Sequence, residues 1–168
     1  ERWRSENAEL ERSGIVHRLD KDTSGVMVIA KTQAVGEALK LKFKTRQVRK
    51  EYLALVYGKL EPRVGDIAVP VGRSKLNREK FAVRVGGKWA ETRYEVINYW
   101  QDKMGKIYTE VRLYPKTGRT HQLRVHLAYL GHPVVGDERY GGEKRVRQSG
   151  LKIKRQWLHA QKLSLVHP

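Results

Sequence analysis

This 168-residue chain predicts an α+β domain, built on a mixed, largely antiparallel sheet flanked by a few helices and loops. Many short stretches either alternate apolar and polar residues or are rich in β-branched residues. Only two stretches carry helical spacing, and no segment repeats. Hydrophobic residues make up 39% of the chain and charged residues 32%, as in a folded chain with a polar surface. A single domain over residues 1–168 accounts for the length.

Residues 1–13 are polar and are expected to form a loop or short helix. Ile15-Val16 and Val26-Met27-Val28-Ile29-Ala30 read as short buried strands on either side of a polar loop. Gln33 to Arg46 mixes Val35, Ala38, Leu39, Leu41 and Phe43 with Lys40, Lys42 and Lys44, the pattern of an amphipathic helix. Lys50 to Tyr57 is a strand, and residues 61–66 are a turn-rich connection. Ile67 to Val71 is a short strand that Pro70 assigns to a sheet edge, because proline cannot donate to a ladder. After a basic loop over Gly72–Glu79, Lys80–Val85 and Trp89–Tyr99 read as a hairpin about Gly86-Gly87. Lys106 to Tyr114 alternates through Ile107, Thr109, Val111 and Leu113. Thr120 to Leu130 is a helix with Leu123, Leu127 and Leu130 on one face and Gly131 as its stop. A Gly-, Lys- and Arg-rich loop over 137–155 leads to a closing strand, Gln156–Val166.

Charge narrows the function. Thirty-five Lys and Arg against eighteen Asp and Glu give a net charge of +17, an excess that solubility alone rarely requires and that points to a polyanion. Nucleic acid is favoured over anionic membrane, since no basic amphipathic helix carries bulky apolar anchors. No apolar run approaches the roughly 20 residues of a membrane span, and no secretory leader opens the chain. The absence of cysteine excludes disulfides, thiolate metal sites and cysteine nucleophiles, and suits a reducing cytoplasm. Of the six histidines, His121 and His126 lie five apart, not at the four-residue spacing of a zinc pair, so no metal site is expected.

The loop between the first two apolar runs holds His17, Arg18, Asp20, Lys21, Asp22, Thr23 and Ser24. A polar loop hung between buried strands is where a rigid scaffold presents chemistry. Asp20 directly follows Leu19 at the strand edge and is the better candidate for a working carboxylate. Asp22 opens Asp-Thr-Ser-Gly, which is turn chemistry.

His17-Arg18-Leu19-Asp20-x-x-Thr23-Ser24-Gly25 followed by Ala30-Lys31 resembles the signature of the RluA-type pseudouridine synthases. Lys50-Glu51-Tyr52-Leu53-Ala54-Leu55-Val56-Tyr57-Gly58 resembles that family's second motif. Thr117-Gly118-Arg119-Thr120-His121-Gln122-Leu123-Arg124-Val125-His126-Leu127, running on to Gly131-His132-Pro133-Val134-Val135-Gly136-Asp137, resembles the third. Leu158-His159-Ala160 with His167-Pro168 is similar to the closing strand. Four blocks in the expected order are specific where one would be weak. The family's upstream strand, with its Asn-Lys-Pro-like motif, and the separate RNA-binding domain of many relatives have no counterpart in residues 1–13, so the chain is expected to lack both.

The resemblance implies the pseudouridine synthase fold and isomerisation of uridine to pseudouridine in structured RNA. The favoured substrate is large-subunit ribosomal RNA, with transfer RNA as the alternative. No cofactor is expected, because the reaction involves no redox change. A cytoplasmic monomer is the expected form. By position, Asp20 is implied as the catalytic carboxylate, Arg119 as its ion-pair partner and Tyr52 as the ring that stacks on the flipped base. Arg18 fills the gap left by the flipped nucleotide, and His17, Thr23, Lys50 and Leu123 complete the substrate contacts. Asp20 could attack the base, attack the sugar or remove a sugar proton. The backbone of the RNA is expected on Lys40, Lys42, Lys44, Arg46, Arg49 and Lys50 and on the basic loops Arg73–Lys80 and Lys144–Arg155. A non-catalytic RNA-binding or assembly module on the same fold is the second reading. Intact Asp20, Tyr52 and Arg119 weigh against it, since a pure binder has no use for a buried carboxylate facing RNA.

Overall fold

In the computed structural model, which describes residues 10–142, 153 and 155–168, seven strands form one sheet in the order β1-β7-β2-β6-β5-β3-β4. They are β1 (Ser24–Gly25), β2 (Arg49–Tyr57), β3 (Val64–Arg73), β4 (Phe81–Val83), β5 (Lys88–Gln101), β6 (Ile107–Pro115) and β7 (Leu158–Ser164). All neighbours are antiparallel except β1 and β7, so the sheet is mixed and largely antiparallel as the sequence predicts. The helices are α1 (Gln33–Lys44), α2 (Gln122–Tyr129) and the single-turn α3 (Glu138–Gly141).

Period-two alternation turns one face of the long strands inward. Ala54 and Val56 of β2, Ile67 of β3, Tyr94 and Val96 of β5, and Val111 and Leu113 of β6 form the core with Leu123 and Leu127 of α2. Leu113 and Leu127 are fully buried, each stabilising the fold by about 2 kcal/mol. Thr32 caps α1, its hydroxyl accepting from Val35 N at 3.3 Å.

Three expectations need correction. The runs flanking the first polar loop are not buried strands. Ile15 and Ile29 meet in an isolated bridge, and Val26, Met27 and Ile29 are exposed. The segment joins the sheet instead through Ser24-Gly25, parallel to His159-Ala160. Gly25 makes this approach possible: at φ 126°, a Cβ there would lie 2.2 Å from Ala160 O.

β4 and β5 do not form a hairpin with each other. Both pair with β3, from opposite sides, Val83 and Lys88 each standing opposite Val71. The four intervening residues carry the chain across β3, and Gly87 lies so close that a Cβ would meet the Val71 carbonyl carbon at 2.7 Å. The Gly86-Gly87 pair therefore marks a backbone crossing, not a two-residue turn. β3 is accordingly one strand in from the edge. Pro70 remains tolerable because the β4 ladder stops at Val71, and its carbonyl still accepts from Arg84 N at 3.0 Å. Of the basic loop expected over 137–155, residues 143–152 and 154 lie outside the described residues; residues 138–141 form α3.

His126 of α2 is fully buried, with Nδ1 3.0 Å from Thr92 Oγ1 and Nε2 without a hydrogen-bond partner among the described residues. Burial pushes its pKa from 6.5 down to about 4, an effect that the Val69 backbone partly opposes. The unfolded chain therefore binds a proton between those values that the folded chain does not. Stability should be full above pH 6.5 and fall as the pH drops towards 4, by up to about 3 kcal/mol. Urea midpoints at pH 7 and pH 4.5 check this: wild type should lose more than His126→Gln over that interval.

Candidate active site

A cavity of about 560 Å³ opens where the first polar loop, the end of α1, the start of β2 and the turn before α2 converge. His17, Arg18, Asp20, Thr23, Lys50, Tyr52, Arg119 and Leu123, all singled out by sequence, line this one cavity. Phe43, Arg46, Val48, Thr117 and His121 also line it.

The loop that carries Asp20 is held at several points. Thr23 N donates to Asp20 O at 3.1 Å, and Asp22 takes the left-handed φ of 69° that the turn reading of Asp-Thr-Ser-Gly implies. Buried Gln156 donates its amide to Lys21 O at 2.9 Å and to Thr23 Oγ1 at 3.0 Å, while Arg155 donates to Asp22 O at 3.2 Å. His17 Nε2 accepts from Val28 N at 3.1 Å, and its ring stacks on Phe43 at 4.7 Å. Burial, and then the charge of Lys50, push the His17 pKa down, so the ring is neutral at pH 7. The Thr23 hydroxyl thus accepts from Gln156.

The expected partner of Asp20 is corrected by the geometry. Arg119 lines the cavity but donates its Nε to Trp89 O at 2.9 Å. Arg124 turns in. Its Nη1 donates to Asp20 Oδ2 at 3.3 Å, and its other donors bind Asp137, Nε to Oδ2 at 2.7 Å and Nη2 to Oδ1 at 2.9 Å. The Arg124 side chain is 7% exposed, Asp20 21% and Asp137 1%. Burial opposes the Arg124 charge, but hydrogen bonding and attraction from Asp137 and then Asp20 more than offset it, raising its pKa further. The reason for the exchange of arginines is the start of α2. His121 takes φ 53°, so the helix begins at Gln122, and Arg124 lies within the buried run Gln122–Leu127. Arg119 belongs to the preceding turn, held by its own N–H to Gln122 Oε1 at 2.9 Å.

Gln122 is a residue that sequence reasoning missed. Its Oε1 accepts from Thr117 Oγ1 at 2.7 Å as well as from Arg119 N, while its Nε2 donates to Glu91 O and Thr92 Oγ1, each at 3.0 Å. One buried amide thus pins the turn at the cavity floor to β5. Glutamine in a helical run gives no sequence signal of that role.

Tyr52 projects from β2 into the cavity. Burial, followed by the nearby Asp20 charge, raises its pKa, so the phenol stays neutral at pH 7. Lys50 Nζ donates to Thr117 O at 3.4 Å, and burial, then Arg46, lower its pKa. Leu123 is both core and cavity wall. Of the expected phosphate contacts, Lys44, Arg46 and Lys50 reach the cavity, whereas Lys40 pairs with Glu11 at 2.5 Å. Arg73, Lys75, Arg78 and Arg84 line a separate basic cleft with Ser74. Lys144 and the basic residues up to Lys152 lie outside the described residues.

The arrangement is a carboxylate with one oxygen tethered to a buried guanidinium, beside an aromatic ring, in a recess rimmed by cations. It suits covalent or proton-transfer chemistry on an aromatic group carried by a polyanion. Among the described residues, no helix is long and apolar enough to cross a membrane.

Comparison with known proteins agrees. A family model described as RNA pseudouridylate synthase matches residues 2–129. The chain is 44% identical over 167 residues to a protein of Blochmanniella floridana named ribosomal large subunit pseudouridine synthase D, covering 94% of this chain and 50% of that protein. It is 42% identical over 169 residues to the protein of that name from Vibrio cholerae, covering 96% and 50%. The chain thus spans about half the length of these curated relatives. Among solved structures, human RNA pseudouridylate synthase domain containing 1 superposes with a TM-score of 0.80 at 34% identity, covering 89% of this chain and 62% of that one.

Proposed function

Since the chain belongs to the RNA pseudouridylate synthase family, we propose that it isomerises uridine to pseudouridine in structured RNA, with Asp20 as the catalytic carboxylate. The observation that carries this reading is that Asp20, which lines the cavity with Tyr52, is tethered to the buried guanidinium of Arg124. In the reaction the bond from ribose C1′ to uracil N1 breaks, the base turns, and C1′ bonds to C5. The hydrogen lost from C5 is balanced by the one gained at N1, so no oxidant, reductant or energy source enters.

A base inside an RNA stack is out of reach of a recessed carboxylate, so the nucleotide must be flipped into the cavity. Tyr52 offers the flipped uracil a ring to stack on, and Leu123 an apolar wall. Arg18, exposed at the cavity mouth, is positioned to occupy the gap in the RNA. Lys44, Arg46 and Arg119 lie where backbone phosphates would pass, and such contacts fix the register of the RNA without reading its sequence. The tether favours no one route for Asp20 among attack on the base, attack on the sugar and removal of a sugar proton.

Large-subunit ribosomal RNA is the proposed substrate, on the strength of the relatives named for it. The test is pseudouridine mapping on unmodified ribosomal and transfer RNA after incubation with the chain. New pseudouridine in large-subunit RNA is the expected result. New pseudouridine confined to transfer RNA would reassign the substrate, and none in either, despite RNA binding, would favour the binding module.

A further inference from the structure

We propose that Asp137 is a positioning residue of the reaction: it holds the Arg124 guanidinium by its Nε–Nη2 edge so that the Nη1 end is left to aim at Asp20. The proposal rests on the synthase reading above and assigns a role within that site.

A guanidinium presents its donors as a planar fork. Asp137 takes one whole edge through two short hydrogen bonds, Nε at 2.7 Å and Nη2 at 2.9 Å. Asp20 receives only Nη1, at a longer 3.3 Å. Asp137 is 1% exposed and Asp20 21%, so the fixed member of the pair is the hidden one and the loosely held member faces the cavity. Asp20 Oδ1 stays outside the pairing. One guanidinium also serves two carboxylates, so the charge of Asp20 is compensated but not cancelled. A carboxylate locked in its own two-pronged pair would be a poorer nucleophile or base.

Asp137 is itself fixed. Its N–H donates to Val134 O at 3.1 Å, and its Oδ1 accepts from Tyr140 N at 3.1 Å, capping α3. That cap sets the Tyr140 ring over Arg124 at 5.0 Å, covering the guanidinium face, with the Tyr140 hydroxyl 2.7 Å from His121 Nδ1. The Gly136-Asp137 step that ends the third motif thus shapes the charge environment of Asp20 without reaching the cavity. Asp137 is absent from the cavity lining.

Asp137→Asn replaces one acceptor by an NH2 that must face a guanidinium N–H, while its remaining oxygen can still cap α3. The expected result is a single-turnover rate of pseudouridine formation down about 100-fold at saturating RNA, because misaiming by about 1 Å costs that much. RNA affinity should stay within about twofold, since Asp137 touches no RNA-facing surface. Asp137→Glu, which keeps the charge, should retain more turnover than Asp137→Asn. In an Arg124→Lys background, Asp137→Asn should add less than about threefold, because coupled residues are not additive. A wild-type rate in Asp137→Asn, or its full loss repeated in the Arg124→Lys background, overturns the proposal. NMR of the Arg124 Nε–H needs no RNA and so separates this proposal from the synthase reading. A slowly exchanging signal should be present in wild type and Asp20→Ala and lost in Asp137→Asn; its survival in Asp137→Asn overturns the proposal even if no RNA is turned over.

Discussion

Asp20→Ala is expected to remove pseudouridine formation to the background of RNA alone while leaving RNA binding within about threefold, because the phosphate contacts that dominate affinity lie on other residues. Asp20 is the carboxylate that meets the cavity. Asp22 sits in a left-handed turn and is exposed, and among the described residues neither Glu nor any other Asp lines the recess. Two imidazoles, His17 and His121, also line the recess, but each has a ring nitrogen engaged, by Val28 N and by the Tyr140 hydroxyl, so neither is poised to take over from the carboxylate. The substitution leaves Arg124 paired with Asp137 through Nε and Nη2, so no free cation is created and binding is expected to hold. Filter binding and a pseudouridine assay on one preparation check both halves. Retained turnover would remove Asp20 from the chemistry, and lost binding would make it a contact residue.

Arg124→Leu is expected to have the largest effect on stability, about 3–5 kcal/mol, because it leaves Asp137 as an uncompensated charge in a site 1% exposed. Asp137 would lose both guanidinium bonds and, among the described residues, keep only the Tyr140 N–H as a side-chain partner. The double variant Arg124→Leu with Asp137→Leu should recover much of that loss, since a buried pair replaced by apolar groups of similar volume is often neutral. Urea unfolding of the wild type, single and double variants at pH 7 reads this directly. A single variant as stable as wild type would mean that Asp137 is hydrated.

Much of the site was legible because its residues sit in short motifs with fixed local geometry. Asp20 and Thr23 close one turn through their backbone, with Gly25 two residues on, and Lys50 and Tyr52 share a face of β2 by strand alternation. The pairing of Asp20 was not. Arg119 and Arg124 differ only in which side of the α2 start they occupy, and that start is set by His121 at φ 53°, a conformation that a histidine does not advertise. The buried run Gln122–Leu127 likewise defeats amphipathic reading. Leu123 and Leu127 pack on the sheet, while Arg124 is buried by Asp137 and Tyr140, and Asp137 is thirteen residues away.

The sheet shows the same division. β6 was read from its alternation, which is a local property. The path from β4 to β5 was not, because a Gly-Gly step between strands fits a hairpin as well as a crossing. Only the close approach of Gly87 to Val71 tells them apart. Gly25 and Ala160 make a similar long-range contact, which put β1 at Ser24-Gly25 instead of in the β-branched runs beside it.

The measurement that bears most directly on the site is single-turnover pseudouridine formation by Arg124→Lys and Arg119→Lys, side by side, on one RNA at saturating concentration. Lysine keeps the charge but cannot reproduce the fork that spans Asp137 and Asp20. If Arg124 aims Asp20, Arg124→Lys loses about 100-fold or more, and Arg119→Lys stays within a few-fold of wild type, its effect confined to RNA affinity. A rate that collapses in Arg119→Lys and survives in Arg124→Lys would contradict that pairing and return Arg119 to the side of the catalytic carboxylate.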